Sequence, residues 1–199
     1  MTLDRLRPLA SRLLAPWVRA AKAVGATPNT VSVVAFALAV AAGGAFYVAT
    51  PLAYALGALC VFLNGWLDLL DGALARDLGV DSEAGDLLDH VLDRYADVLV
   101  VAGLAAGIGR FDLGLAAVTG VLLTSYLGTQ AQAVGLDRVY GGLLGRADRL
   151  ALVGVTGAVS VVVPVVGGFS PVAWLLGLFA VVGHLTAVQR FVSAWRQLA

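Results

Sequence analysis

The 199-residue chain is 60% hydrophobic and only 13% charged, with a mean hydropathy of +0.90, whereas soluble domains carry about 25% charged residues. That deficit excludes a pair of soluble domains and implies one helical bundle facing lipid. Thirteen basic and 13 acidic residues leave no net charge, so no nucleic-acid partner is expected, and the single cysteine, Cys60, rules out an intramolecular disulfide.

Residues 1–22 place Leu3, Leu6, Leu9, Leu13, Leu14, Trp17 and Val18 at helical spacing, with Arg5, Arg12, Arg19 and Lys22 at other positions. This predicts an amphipathic helix lying in the membrane interface; the arginines break any apolar leader segment. Thr27-Pro28-Asn29-Thr30 supplies caps and a proline for the first span. Apolar stretches about 20 residues long, enough to cross a bilayer core, then recur at 30–49, 52–75, 86–108, 112–134, 148–166 and 171–194. Turn signals separate them: Thr50-Pro51, Gly107 through Asp112, Gly141-Gly142, and Gly167-Gly168 through Pro171. No alternation of the barrel kind is present, so helices are the remaining backbone solution. The expected fold is all-α: a polytopic membrane protein of six transmembrane helices (residues 26–199) preceded by the interfacial helix (residues 1–25).

With six spans, 12 of the 13 basic residues fall on one side, and only Arg110 falls opposite. The positive-inside rule puts both termini, and the chemistry described next, at the cytoplasmic face of the cell membrane.

The acidic residues are clustered. Nine of 13 lie from Asp68 to Asp97: Asp68, Asp71, Asp77, Asp81, Glu83, Asp86, Asp89, Asp93 and Asp97. Ionisable groups in membrane helices are costly and mark function. Asp68 and Asp71 are three apart, Asp89 and Asp93 four apart, and either spacing puts a pair on one helical face. A short polar turn folds the two helices back, so four carboxylates converge near one membrane surface. Such a group stays ionised only with cations present. An all-oxygen set suits Mg²⁺ first and Mn²⁺ next. Two such ions bridged by aspartates are a recurring solution for phosphoryl transfer.

The whole segment reads Asp68-x-x-Asp71-Gly72-x-x-Ala75-Arg76, then eight residues, Gly85, three residues, Asp89, three residues, Asp93. It resembles the signature of the CDP-alcohol phosphotransferases at every fixed position. The six spans, the interfacial helix and Thr27-Pro28-Asn29 are also what that family shows. The resemblance implies a phospholipid-synthesis enzyme that moves a lipid phosphate from a CDP-lipid donor to an alcohol, releases CMP and works as a homodimer. It assigns Asp68, Asp71 and Asp89 as metal ligands and Asp93 as general base that also touches the second metal. Gly72, Ala75 and Gly85 then admit the donor nucleotide close to helix backbone, and Arg76 pairs with a phosphate.

For the acceptor, Arg146 and Arg149 open the fifth span and Arg190 lies near the end of the sixth, three guanidiniums at one depth that suggest an anion site. With Ser125-Tyr126 and Gly135-Leu136, they resemble the phosphatidylinositol-phosphate and archaetidylinositol-phosphate synthase branch, which uses inositol phosphate. This chain departs from the branch in Gly128-Thr129-Gln130-Ala131-Gln132, neutral where a lysine and an arginine are expected. Glycerol phosphate or a neutral polyol are the alternatives, and a divalent-cation transporter is the alternative from another class. Asp86 and Asp97, on the face of Asp93, are read as solvated or capping groups, with support of the site the alternative; Asp77, Asp81 and Glu83 as loop solvation; His90 as a packing or interfacial residue; Trp17, Trp174 and Trp195 as interface anchors; and Trp66 as an anchor or a lid over the nucleotide.

Overall fold

The computed structural model describes the backbone of residues 7–80, 82–137 and 143–198 and, within these, side chains from Leu13 onward. Expectations resting on Leu3, Leu6, Leu9, Arg5, Arg12, Asp81, Arg138 and the Gly141-Gly142 turn lie outside the described side chains. The fold is all-helical: α1 (Arg7–Ala23), α2 (Pro28–Val48), α3 (Pro51–Leu78), α4 (Glu83–Gly107), α5 (Phe111–Ala133), α6 (Arg146–Ser160) and α7 (Pro171–Leu198). Four of them, α2, α3, α5 and α7, are long and apolar enough to cross a membrane. Helix α4 has the length but carries the acidic cluster, and α6 has only 15 residues.

Local chemistry sets the boundaries. Thr27 caps α2, accepting from Thr30 N–H at 3.2 Å, and Pro28 occupies the first turn, where its missing N–H costs nothing. Thr50 and Pro51 repeat the device on α3, with Thr50 Oγ1 accepting from Ala53 N–H at 3.3 Å. Helix α6 stops at Ser160, short of the expected residue 166. The β-branched run Val161-Val162-Val163 leads into Pro164, which bars the residue before it from helical geometry. Gly167 and Gly168 then turn the chain at positive φ (57° and 86°), so that Trp174 Nε1–H can donate to Val166 C=O at 2.9 Å.

The helices close into a ring of neighbours: α2 packs on α3 and α4, α4 on α5, α5 on α7, α7 on α6, and α6 back on α3. Although a short turn joins α3 to α4, each packs on α2 more extensively than on the other. A cleft is left between them. The main core is built from Phe46, Leu104, Ala117, Val121, Leu176 and Phe179 with their neighbours. Helix α1 lies outside the ring against α3: Leu14, Val18 and Ala21 bury against Leu70 and Leu74, and Lys22 Nζ reaches Asp77 at 2.6 Å.

Helices α2 and α4 approach so closely that a Cβ added to Gly103 would lie 2.1 Å from Gly43 C=O, and one added to Gly43 would lie 2.7 Å from Leu99 C=O. Backbone, not a flexible side chain, occupies that space, so the seam admits glycine alone, as small residues do in membrane helix packing. Gly103→Ala should therefore destabilise the bundle by about 1–3 kcal/mol, read as a lowered melting temperature in detergent. Gly44→Ala, with nothing within 4 Å of the new methyl, should leave melting unchanged or slightly raised.

Candidate active site

The α3–α4 turn assembles the site. Gly79 ends α3 in the left-handed region at φ 62°, with its N–H donating back to Ala75 C=O. Ser82 then caps α4, its Oγ accepting from Gly85 N–H at 3.1 Å. The two halves of the acidic signature thus face each other across the cleft.

One carboxylate oxygen from each of Asp68, Asp71 and Asp89 lies within 4.8 Å of the other two. Asp71 is buried and held from α2 by Ser32 Oγ–H at 2.7 Å. Three convergent anionic oxygens without imidazole or thiolate fit a hard divalent cation. Asp93 stands apart from this group of three. Its Oδ1 is 2.5 Å from one amino nitrogen of Arg146, whose other amino nitrogen is 2.5 Å from Asp68 Oδ1. Arg146 therefore bridges the carboxylate triad and Asp93.

A cavity of about 1360 Å³ opens in front of these groups, bounded by α3, α4, α5, α6 and Arg190 of α7. Asp68, Asp89 and Asp93 form its acidic wall, and Arg94, Arg146, Arg149 and Arg190 its basic wall, with Ser125, Tyr126 and Thr129 between helices. Phe62, Leu122, Val155 and Ala158 extend the cavity as an apolar slot. The basic wall is braced from behind. Arg190 Nη1 donates to Thr124 C=O at 2.6 Å, and Arg149 Nη2 donates to Asp97 at 3.1 Å. The Nε–H groups of both Arg146 and Arg149 are buried and have no hydrogen-bond partner among the described residues. Buried donors without acceptors are costly, and both belong to side chains lining the cavity.

The expected donor residues gather elsewhere. Gly72, Ala75, Arg76 and Gly85 do not line this cavity but cluster at the α3–α4 turn. The Arg76 guanidinium folds back over Gly72, where an added Cβ would meet it at 3.2 Å. A Cβ on Gly85 would come 3.4 Å from Asn29 Oδ1, so the Thr27-Pro28-Asn29 segment of α2 borders the same place.

Three residues differ from expectation or were not singled out. Asp97 is buried between Arg149 and Arg94 instead of solvated, because each guanidinium compensates its charge at close range (3.1 and 3.3 Å). Arg94, beside Asp93 at 3.5 Å, lines the cavity. Ser32, 39 residues from Asp71, left no signal beyond being a polar residue in an apolar run. His90 also lines the cavity, its Nδ1 2.8 Å from Asp86 C=O. Trp66 lines it too, with its ring edge against Trp17 of α1 and a face along Phe62.

Comparison with known proteins agrees with this geometry. Residues 25–182 match the family model for CDP-alcohol phosphatidyltransferase. The chain is 26% identical over 197 residues to the archaetidylinositol phosphate synthase of Pyrococcus horikoshii, covering 98% of each chain. It is 35% identical over 193 residues to the phosphatidylinositol phosphate synthase of Mycobacteroides abscessus, covering 92% of this chain and 80% of the relative. The crystal structure of Mycobacterium tuberculosis phosphatidylinositol phosphate synthase with CDP-DAG bound superposes with a TM-score of 0.77 at 29% identity, covering 92% of this chain and 94% of that one. The same enzyme in complex with manganese and citrate gives 0.78 at 28% identity, covering 92% and 88%. The chain belongs to the CDP-alcohol phosphatidyltransferase family and is a membrane transferase of phospholipid synthesis.

Proposed function

We propose that this transferase moves the lipid phosphate of a CDP-lipid onto inositol phosphate, releasing CMP. The carrying observation is the basic wall of the cavity, where Arg94, Arg146, Arg149 and Arg190 gather guanidiniums from three helices. A phosphorylated polyol brings several acceptor oxygens to that place, where charge-assisted bonds to guanidiniums are strong. The relatives named as inositol-phosphate-lipid synthases support the same reading. Family membership decides against the cation transporter. Glycerol phosphate stays the second reading, because Gly128 and Gln130 are neutral in the helix that carries Ser125 and Thr129.

On this reading Asp68, Asp71 and Asp89 hold divalent metal, with Mg²⁺ as two ions or Mn²⁺ in its place. The metal, when bound, neutralises the donor pyrophosphate and the charge that develops on transfer. Asp93 accepts the proton of the acceptor hydroxyl; that oxygen forms the new P–O bond as the P–O bond to CMP breaks. Asp93 suits this role through its place between the carboxylate triad and the basic wall, with Arg146 on one side and Arg94 on the other. The apolar slot beside Phe62, Val155 and Ala158 offers room for a lipid chain, while Gly72, Ala75, Arg76 and Gly85 border the nucleotide. Arg149 and Arg190 face the acceptor from the opposite wall.

The topology follows from the same charges. Residues 26–199 form the six-span catalytic unit, α4 and α6 crossing with the rest. Helix α1 lies in the interface with Leu14 and Val18 toward α3 and Trp17 exposed. Both termini and the site face the cytoplasm, Arg110 and its partner Asp112 (2.8 Å) the opposite side, and two copies form a homodimer.

Assayed with CDP-lipid and Mg²⁺, the purified protein should release CMP with inositol phosphate in preference to glycerol 3-phosphate, glycerol 1-phosphate, serine or free inositol; a preference for free inositol would overturn the anionic acceptor. Asp93→Asn should lower kcat by about 10²–10⁴-fold while CDP-lipid binding stays measurable. Ser32→Ala should weaken metal binding by about tenfold, followed by Mn²⁺ titration with magnetic resonance detection, because Asp71 loses its fixed orientation.

A further inference from the structure

Asp97 does not line the cavity, yet it touches two side chains that do. Its Oδ2 lies 3.1 Å from Arg149 Nη2 and 3.3 Å from Arg94 Nη1. Ser125 Oγ, on α5, lies against the same two nitrogens: 3.5 Å from Arg149 Nη2 and in close contact with Arg94 Nη1. One carboxylate and one hydroxyl, from α4 and α5, thus bracket two guanidiniums from α4 and α6. Two like charges that share partners this closely repel each other, more strongly inside a protein than in water. Arg149 and Asp97 are both nearly sealed, with 8% and 6% of their side chains exposed. Asp97 compensates the pair from outside the cavity lining, while Asp93, on the cavity wall, lies 3.5 Å from Arg94 Nη2.

We infer that Asp97 is a positioning residue for the acceptor: with Ser125 it locks Arg94 and Arg149 side by side as a preassembled cradle for the acceptor's phosphate. Arg94 thereby joins Arg149 in recognising the anion. The inference rests on the proposed reading that the acceptor is phosphorylated. Preassembly matters because arginine loses side-chain freedom on binding, and a guanidinium already held in place loses less. Without the Asp97 charge the two guanidiniums separate, so the first quantity to suffer is acceptor binding, not the chemical step.

The test is steady-state kinetics on the purified protein in detergent with CDP-lipid, Mg²⁺ and inositol phosphate. Asp97→Asn should raise the KM for inositol phosphate about tenfold or more, with kcat at saturating acceptor and the KM for CDP-lipid little changed. Asp97→Glu should recover part of the loss. Ser125→Ala, which removes only the shared hydroxyl, should raise the same KM more modestly, and it carries the test should Asp97→Asn fail to fold. In the Asp97→Asn/Arg149→Ala double variant the two effects should be less than additive, because Asp97 acts in part through Arg149. Equal changes in kcat and in both KM values, or strict additivity, would overturn the positioning role and leave Asp97 a purely structural charge. A wild-type preference for free inositol would overturn the anionic reading and the cradle with it. Retained preference for the phosphate with an unchanged KM in both single variants would overturn the cradle alone.

Discussion

Carboxylates crowded onto two helix ends inside a membrane repel one another, and everything else around the cleft answers that repulsion. Asp68, Asp71 and Asp89 bring oxygens within 4.8 Å of each other, and Asp71 is buried, where charges repel more strongly than in water. The described side chains offset them with one guanidinium, Arg146, shared between Asp68 and Asp93, and one hydroxyl, Ser32 on Asp71. That compensation is incomplete, and the shortfall is what a divalent cation supplies. It fits the way α3 and α4 pack more extensively on α2 than on each other. A helix wedge keeps the acidic ends at a coordinating distance without forcing them into contact. The Gly43–Gly103 seam sets how near α2 can come, so a feature far along α4 from the site helps fix its geometry.

Much of this was legible in the sequence, since the fixed spacing from Asp68 to Asp93 is a local property of two helices and one turn. Two helix starts were legible for the same reason, since Thr27-Pro28 and Thr50-Pro51 act on their own next turn, whereas the Ser82 cap that starts α4 at Glu83 went unread. The error in α6 shows the limit of reading by hydropathy. Valines at 161–163 are as apolar as a span requires, but a β-branched run entering Pro164 cannot continue the helix. What stayed hidden depends on pairs distant in sequence. Ser32 meets Asp71 across 39 residues, Arg149 meets Asp97 across 52, and Arg146 meets Asp68 across 78. Nothing in a helical period reports which of several arginines ends opposite which aspartate. Asp97 illustrates it best: on the helix face of Asp93 it looked solvated, and only the arrival of α6 buries it.

The cavity has two characters, and the proposed reaction needs both. A CDP-lipid and the proposed polyol phosphate have almost nothing in common except the phosphorus atom at which they would meet. Acidic and basic side chains meet in its lining, Arg146 touching both Asp68 and Asp93, and apolar residues such as Phe62 and Val155 line the rest. The charges grade from the carboxylates of α3 and α4 to the guanidiniums of α6 and α7. On the proposed reading, cations and the pyrophosphate they neutralise go to the Asp68–Asp89 side and the acceptor's anion to Arg149 and Arg190. Asp93, in contact with Arg146 and beside Arg94, lies between the two, where that reading needs its base.

The neutral stretch Gly128-Thr129-Gln130 is then less of an obstacle to an anionic acceptor than its sequence suggests. An anion site is set by how many guanidiniums face it and how firmly they are held, not by the charge of any one helix. Here α5 contributes the Ser125 hydroxyl and the Thr124 carbonyl, both of which accept from arginines on other helices. Arg94, Arg149 and Arg190 come from α4, α6 and α7, so each is oriented by a different packing contact. Gly120, one turn before Thr124, lets α5 approach α7 closely: a Cβ there would lie 3.1 Å from Phe179 C=O. A lysine carried by α5 itself would add charge, but as a flexible point charge it would add little orientation. The same helix that lacks the expected cations braces the arginines of its neighbours, which is how it would serve the proposed acceptor.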